Sequence, residues 1–348
     1  MSFAQRLQRA WWLPDARGLA LWLTPLSVLY CLLARIHLGL FRLGLRRVEA
    51  APVPVIVVGN LIVGGAGKTP TVIALVRALR HAGWTPAVIS RGYGRKDDAV
   101  RAVTTACTAA EVGDEPLLIH IRTGAPVFVG RDRIAAAEAA CRAHPQVNVI
   151  VSDDGLQHWR LGRRLQVVVF DERGVGNGRL LPAGPLRETV PLQLPPRTLV
   201  VYNAVGATTS LPGCVADRSL AGAVPLDGWW RGTAPTMHAL HALRGHKVYA
   251  AAGLASPERF FKMLEAEGLH IERLPLPDHY HYRQVPWPAS ATTDVLVTEK
   301  DAIKLHPDAQ GEARVWVVAL DLRLPSAFIA EALRLLQDSL NPLSRHDA

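Results

Sequence analysis

The chain has 348 residues, 49% of them hydrophobic and 20% charged, with a formal net charge of +9. That length and composition exclude a disordered or low-complexity chain and favour two folded units, each with its own core. Four scattered cysteines without a C-x-x-C pair exclude a disulfide framework and a cysteine-built zinc site, and suit a reducing compartment.

The charge is unevenly spread. Residues 1–50 carry seven arginines, no lysine and two acids. Among them lies an uncharged stretch, 18–34, interrupted by Pro25; Trp11 and Trp12 ahead of it and Trp22 and Tyr30 within it suit headgroup depth. As a helix it spans roughly 25 Å, short of the ~30 Å hydrocarbon core. Beyond it Ile36, Leu38, Leu40, Phe41, Leu43 and Leu45 are interspersed with Arg35, His37, Arg42, Arg46 and Arg47. No small-residue cleavage site precedes the basic stretch, so a signal peptide is disfavoured. Residues 1–50 are read as a monotopic anchor helix in the cytoplasmic leaflet, ahead of a buried core helix or a short true span. The basic excess beside this apolar stretch points to an anionic membrane rather than nucleic acid.

The apolar run 53–59 then enters Val63-Gly64-Gly65-Ala66-Gly67-Lys68-Thr69-Pro70. A strand running into glycines and a Lys-Thr pair is the pattern of a phosphate loop. Glycines let backbone N–H groups turn toward an anion, and the following helix adds the positive end of its dipole. Lys68 is expected on the β/γ-phosphates of ATP and the Thr69 hydroxyl on Mg²⁺, with Gly64, Gly65, Ala66, Gly67 and Pro70 completing the cradle. The usual pattern has glycine where this chain has Ile62. Val72, Leu75, Val76 and Leu79 give the next segment an amphipathic helical period.

Further strands are expected at 87–90, 126–129, 147–152, 165–170 and 198–202, and helices at 71–82, 114–122 and 131–143. Alternation with near-continuous apolar strands predicts a parallel sheet covered on both faces. Residues 205–240, rich in Pro, Gly, Ala and Thr, are read as a linker. A second α/β unit follows, with strands at 247–252, 294–298 and 314–319 and helices at 257–267 and 326–339. Ser256 is the expected N-cap of the helix at 257–267. The expected fold is α/β: an anchor helix over 1–50, a P-loop NTPase-type parallel-sheet domain over 51–235 and a smaller α/β domain over 236–348.

Val149-Ile150-Val151-Ser152-Asp153-Asp154-Gly155 is an apolar strand ending in two carboxylates. In a P-loop fold the strand beside the loop strand ends near the metal, so Asp153 and Asp154 join Thr69 as Mg²⁺ candidates. His158, four residues on, is a further site candidate. In Gly113-Asp114-Glu115-Pro116, Asp114 suits either a helix cap or the carboxylate that handles an acceptor hydroxyl, with Glu115 beside it. Arg187-Glu188 ends the run Leu180-Leu181-Pro182-Ala183-Gly184-Pro185-Leu186, and a rigid turn presenting one arginine suits a phosphate clamp. Asp278-His279-Tyr280-His281-Tyr282 lacks further zinc ligands at usable spacing, and Thr298-Glu299-Lys300-Asp301 reads as a capped, charged helix start.

Together these motifs resemble the tetraacyldisaccharide 4′-kinases, the lipid A 4′-kinases of Gram-negative bacteria. The likeness extends from Val53 to Lys304 through Gly59-Asn60-Leu61, the glycine loop and Ser90-Arg91-Gly92-Tyr93-Gly94-Arg95. It continues through Gly113-Asp114-Glu115-Pro116, Gly130-Arg131-Asp132-Arg133, Asp153-Asp154-Gly155-Leu156-Gln157-His158, Leu181 to Glu188, Asp278-His279 and Thr298 to Asp301. It implies ATP- and Mg²⁺-dependent phosphorylation of the 4′-hydroxyl of a tetraacylated lipid A disaccharide 1-phosphate at the cytoplasmic face of the inner membrane. It also implies an Asp–His pair on the acceptor hydroxyl, here Asp114 and His279. Lys68 and Arg187 then handle charge on the transferring phosphate, and the expected state is a monomer. The rival readings are a membrane-associated switch ATPase, whose loops carry a lysine where this chain has Val63, and a lipid-binding module without turnover.

Overall fold

The computed structural model describes residues 3–13, 19–95, 97–254, 256–278, 280–282, 284–288, 293–305 and 313–338. The chain opens with α1 (Phe3–Trp11), α2 (Leu19–Trp22) and α3 (Thr24–Arg42). Pro25 does not break a continuous helix. It sits at the start of α3, where its missing N–H costs nothing, and a turn at Leu23 separates α2 from α3.

The first sheet follows. Its elements are β1 (Val55–Gly59), α4 (Lys68–His81), β2 (Pro86–Ser90), β3 (Arg101–Val103), α5 (Ala109–Val112), α6 (Asp114–Thr123), β4 (Val127–Val129), α7 (Arg133–Ala143), β5 (Val149–Asp153), β6 (Leu165–Asp171), β7 (Thr198–Asn203) and β8 (Cys214–Val215). The eight strands stand in the order β3-β4-β2-β5-β1-β6-β7-β8, parallel except for β3 against β4. Every residue of β1, β2, β4 and β5 is buried, as helices on both faces require. Because β5 inserts between β1 and β2, its C-terminal end lies beside that of β1: Val58 pairs with Asp153. That topology brings the two carboxylates to the phosphate loop.

The second sheet comprises β9 (Asp217–Pro225), β10 (Lys247–Ala252), β11 (His270–Pro275), β12 (Asp294–Thr298) and β13 (Arg314–Arg323), in the order β11-β10-β12-β13-β9 with only β9 antiparallel. Its helices are α8 (Leu226–Trp230), α9 (Met237–His241), α10 (Pro257–Ala266), α11 (Glu299–Ala302) and α12 (Ser326–Gln337). The stretch 205–240, expected as a linker, instead carries β8, β9, α8 and α9. Its glycines serve tight contacts: Gly222, at φ 117, lies so close to the Thr236 backbone that a side chain there would collide. The edge strand β11 carries little sequence signal, because it is largely exposed and lacks strict alternation. Ser256 precedes α10, but its side chain makes no capping hydrogen bond.

The halves share a core. After β13 the chain returns to the first sheet through α12, whose Phe328, Ala332 and Leu336 join a cluster with Ile56, Val72 and Val76. Polar ties reinforce the junction. The Arg122 guanidinium of α6 bonds Glu299 and, at 2.6 Å, Asp321, and Arg77 of α4 bonds Asp321 at 3.2 Å.

Candidate active site

Between β1 and α4 the chain must change direction around space for an anion. Gly64 and Gly67 both take positive φ, 86 and 88, a region closed to most side chains. A Cβ at Gly67 would also land on the side-chain amide of Asn203, which donates to Ala66 O. Ile62, standing where glycine is usual, is fully buried and bridges to Leu186. It anchors the loop in the core rather than lining it. Gly65 through Pro70 line a cleft of about 200 Å³ between the two sheets, walled opposite by Phe260, Met263 and Lys300.

Lys68 is buried and points back along the loop. Its ammonium donates to Asn60 Oδ1 at 3.2 Å and lies 3.6 Å from Asp154 Oδ1. Asn60 donates in turn to Gly64 O, and Gln157 to Asn60 O. Arg187 reaches Asp154 at 3.1 and 3.3 Å and Gln157 Oε1 at 3.3 Å. Burial alone would raise the Asp154 carboxyl, but Lys68 and Arg187 outweigh it and hold it below the ordinary value. Asp153 differs. It is fully buried, and burial, with the charges of Glu115 and Asp154, pushes it up to about 7 against the pull of Lys68 and Arg133. Ser90 Oγ lies 3.4 Å from its Oδ2, whereas Oδ1 is buried without a hydrogen-bond partner.

Arg187 is delivered by its backbone. Val63 N–H donates to Pro185 O and Arg187 N–H to Leu61 O, so the turn ending in Arg187 is laid against the segment entering the phosphate loop. That turn also carries the N-terminal helices. Ser27 Oγ donates to Leu180 O, Tyr30 OH to Arg187 O and Trp11 Nε1 to Pro182 O. Arg173 donates to Gly65 O while lying over the Trp12 ring.

The other candidates fall at different distances from this centre. Asp114 and Glu115 open α6, with Glu115 lining the cleft. His158 is half-buried, and burial with the nearby Arg133 charge lowers it to about 4. Glu188 is half-buried beside Gln157 and raised, chiefly by desolvation. His279 lies outside the described residues. Asn60, Ser90, Arg133 and Gln157 lie within the sequence motifs and gain a role only from these contacts. A polar residue directly after a fully buried strand, as Asn60 is, was the one available signal. Asn203 and Arg173 had none, being brought in by β7 and the segment after β6.

Thr69 and Asp153 offer the hard oxygen donors that Mg²⁺ takes, and the partnerless Asp153 Oδ1 is the kind of atom such an ion satisfies. Among the described residues no three His, Cys, Asp or Glu side chains form a cage, compatible with an ion completed by water and phosphate.

A tetraacyldisaccharide-1-P 4′-kinase family model matches residues 19–337. The chain belongs to this family. Among its relatives, the tetraacyldisaccharide 4′-kinase of Methylibium petroleiphilum is 51% identical, over 94% of this chain and 92% of the relative. That of Leptothrix cholodnii is 49% identical over 96% of each. The crystal structure of LpxK from Aquifex aeolicus in complex with ATP superposes with a TM-score of 0.76 at 29% identity, covering 93% of this chain and 99% of that one. The P-loop-type sheet and second α/β unit expected from sequence are therefore those of a tetraacyldisaccharide 4′-kinase.

Gly67→Ala should abolish nucleotide binding while leaving the circular dichroism spectrum unchanged, because both the left-handed backbone and the Asn203 contact exclude a methyl group. Titration with a fluorescent ATP analogue checks this, and wild-type affinity would overturn the account of the loop.

Proposed function

We propose that this chain transfers the γ-phosphate of ATP to the 4′-hydroxyl of a tetraacylated lipid A disaccharide 1-phosphate, giving the bis-phosphorylated lipid A precursor. Beyond family membership, the observation that carries this reading is that α3 rests on the turn bearing Arg187. An apolar helix and the cationic end of the phosphate site are one assembly, as an enzyme taking a lipid's headgroup requires.

Phosphoryl transfer has a loose transition state, so the protein's work is positioning and charge neutralisation. Lys68 and the loop amides hold the phosphates. Thr69 and Asp153 would hold Mg²⁺, which would supply charge neutralisation to the nucleotide's phosphates. Asp154 organises Lys68 and Arg187, whose charges hold its carboxyl below the ordinary value. Arg187 faces the transferring group. Asp114, oriented by His279, accepts the proton of the sugar hydroxyl. Glu115, His158 and Glu188 shape the surroundings of these groups.

The anchor is read as monotopic. Among the described residues α3, 19 residues long, is the one helix long and apolar enough to cross a membrane, with mean hydropathy 1.4 over its most apolar 18-residue window. Ser27, Tyr30 and Cys31, at i, i+3 and i+4, turn toward the protein, while Leu26, Leu29, Leu32, Leu33 and Ile36 are exposed beside Trp22, itself 84% exposed. A helix docked along one side suits an in-plane position in the cytoplasmic leaflet of the inner membrane, with the enzyme a monomer. The working parts are then the anchor over 1–50, a nucleotide-binding unit over 51–235 and a smaller unit over 236–348, the last borrowing β9 and lending α12.

Transfer of labelled γ-phosphate to the disaccharide 1-phosphate tests the reaction itself. Lys68→Ala should lose it with the fold intact, and near wild-type turnover at saturating ATP and Mg²⁺ would sink the assignment. Asp114→Ala should lower turnover by about 10²–10⁴-fold, far more than it weakens ATP binding. Combined with His279→Ala it should be little worse than alone, since residues acting as a unit are non-additive. Strictly multiplicative losses in steady-state assays would separate the pair. Removing residues 1–45 should release the protein from anionic vesicles and leave a folded nucleotide-binding core. Continued co-sedimentation of the truncated protein at high salt would place membrane binding elsewhere.

A further inference from the structure

The segment Thr298 to Lys304 takes no part in the chemistry above, yet it is built with care. Thr298 Oγ1 donates to Asp301 Oδ2 at 2.6 Å and accepts from Asp301 N–H, and Gly253 N–H donates to both Asp301 oxygens at 3.1 Å. The fully buried Asp301 thereby pins α11 to the end of β10. Lys304 follows in the turn after α11, its N–H bonded to Asp301 O. Its ammonium is buried and lies 3.3 Å from Asp114 Oδ2. No hydrogen bond completes that approach, so this is a charge contact. Lys300, one helical turn earlier, lies 3.3 Å from Asp278 and 3.9 Å from Glu115. At the far end of α6, Arg122 is held by Glu299. Segment 299–304 thus grips α6 at both ends, and its two lysines face the two acids that open that helix.

We propose that Lys304 is a positioning residue for phosphoryl transfer: its ammonium, supplied by the second sheet, fixes the orientation of the Asp114 carboxylate supplied by the first. This rests on the reading of Asp114 as the group that takes the acceptor proton. A buried ammonium is costly unless a carboxylate faces it, so the pairing is maintained whenever the two sheets are docked. A misplacement of a reacting group by about 1 Å costs about 10²-fold in rate. The acceptor-side carboxylate is therefore set only when both halves of the chain are in place, whereas the phosphate loop is complete within the first.

Lys304→Met in the full-length enzyme should lower kcat by about 10- to 100-fold, with the KM for ATP and nucleotide binding essentially unchanged. In an Asp114→Ala background the same substitution should add no further loss, measured by single-turnover transfer. If Lys304→Met fails to fold, Lys304→Gln, which keeps a polar tip, is read in the same way. Wild-type kcat in the Lys304 variant while Asp114→Ala is inactive overturns the proposal but leaves Asp114 as the base. A loss that multiplies with that of Asp114→Ala, or one falling on KM for ATP, overturns it equally. Full activity of Asp114→Ala itself removes the underlying reading instead.

Discussion

Two adjacent carboxylates at the end of a buried strand constrain everything around them. Asp153 and Asp154 are set at the tip of β5 by the sheet order, next to the exit of β1, and neither can be charged there without compensation. The protein resolves the pair asymmetrically. Asp154 receives Lys68 and Arg187 and stays below the ordinary carboxylate range. Asp153 receives Ser90 and the more distant field of Arg133, keeps one oxygen without a partner, and is raised. One carboxylate organises cations, and the other keeps a buried oxygen without a hydrogen-bond partner.

The cations that answer Asp154 come from separate parts of the chain, and each brings a structural consequence. Lys68 requires the left-handed turn at Gly67 and the buried Asn60 that steadies its ammonium. Arg187 requires the turn at 180–187 to lie against the segment entering the loop, and that turn is the platform for Trp11, Ser27 and Tyr30. Apolar residues on the same helices remain exposed. A small movement of α3 relative to the sheet would therefore be felt at the Arg187 backbone, one residue from the core bridge at Leu186.

Much of this was legible beforehand, for identifiable reasons. Buried parallel strands are short apolar runs, so β1, β2, β4, β5, β6 and β7 emerge within a residue or two of their expected ends. The phosphate loop is legible because its glycines serve a local backbone need. What escaped were elements whose stability comes from neighbours: the exposed edge strand β11, the three-residue β3, and β9, hidden in a stretch whose glycines and prolines suggested a linker. The same logic applies at the site. Lys68, Thr69, Asp153 and Asp154 declare themselves through adjacent motifs, but Asn203, Arg173 and Lys304 become visible only when distant segments meet.

The sequence by itself determined the chemistry: a glycine loop for phosphate, paired acids on a strand tip, an apolar and arginine-rich start, and the order of motifs that marks the family. Such features depend on residue types at short spacing, where backbone conformation and local charge act within one turn or strand. Only the tertiary structure decided how that chemistry is divided. It made Asp154 a partner of cations and Asp153 a carboxylate with a free oxygen, returned α12 to the first sheet, tied α3 to the turn of Arg187 and placed Lys304 against Asp114. These outcomes depend on burial and on distances between residues far apart in the chain, and both are set by packing rather than by local sequence.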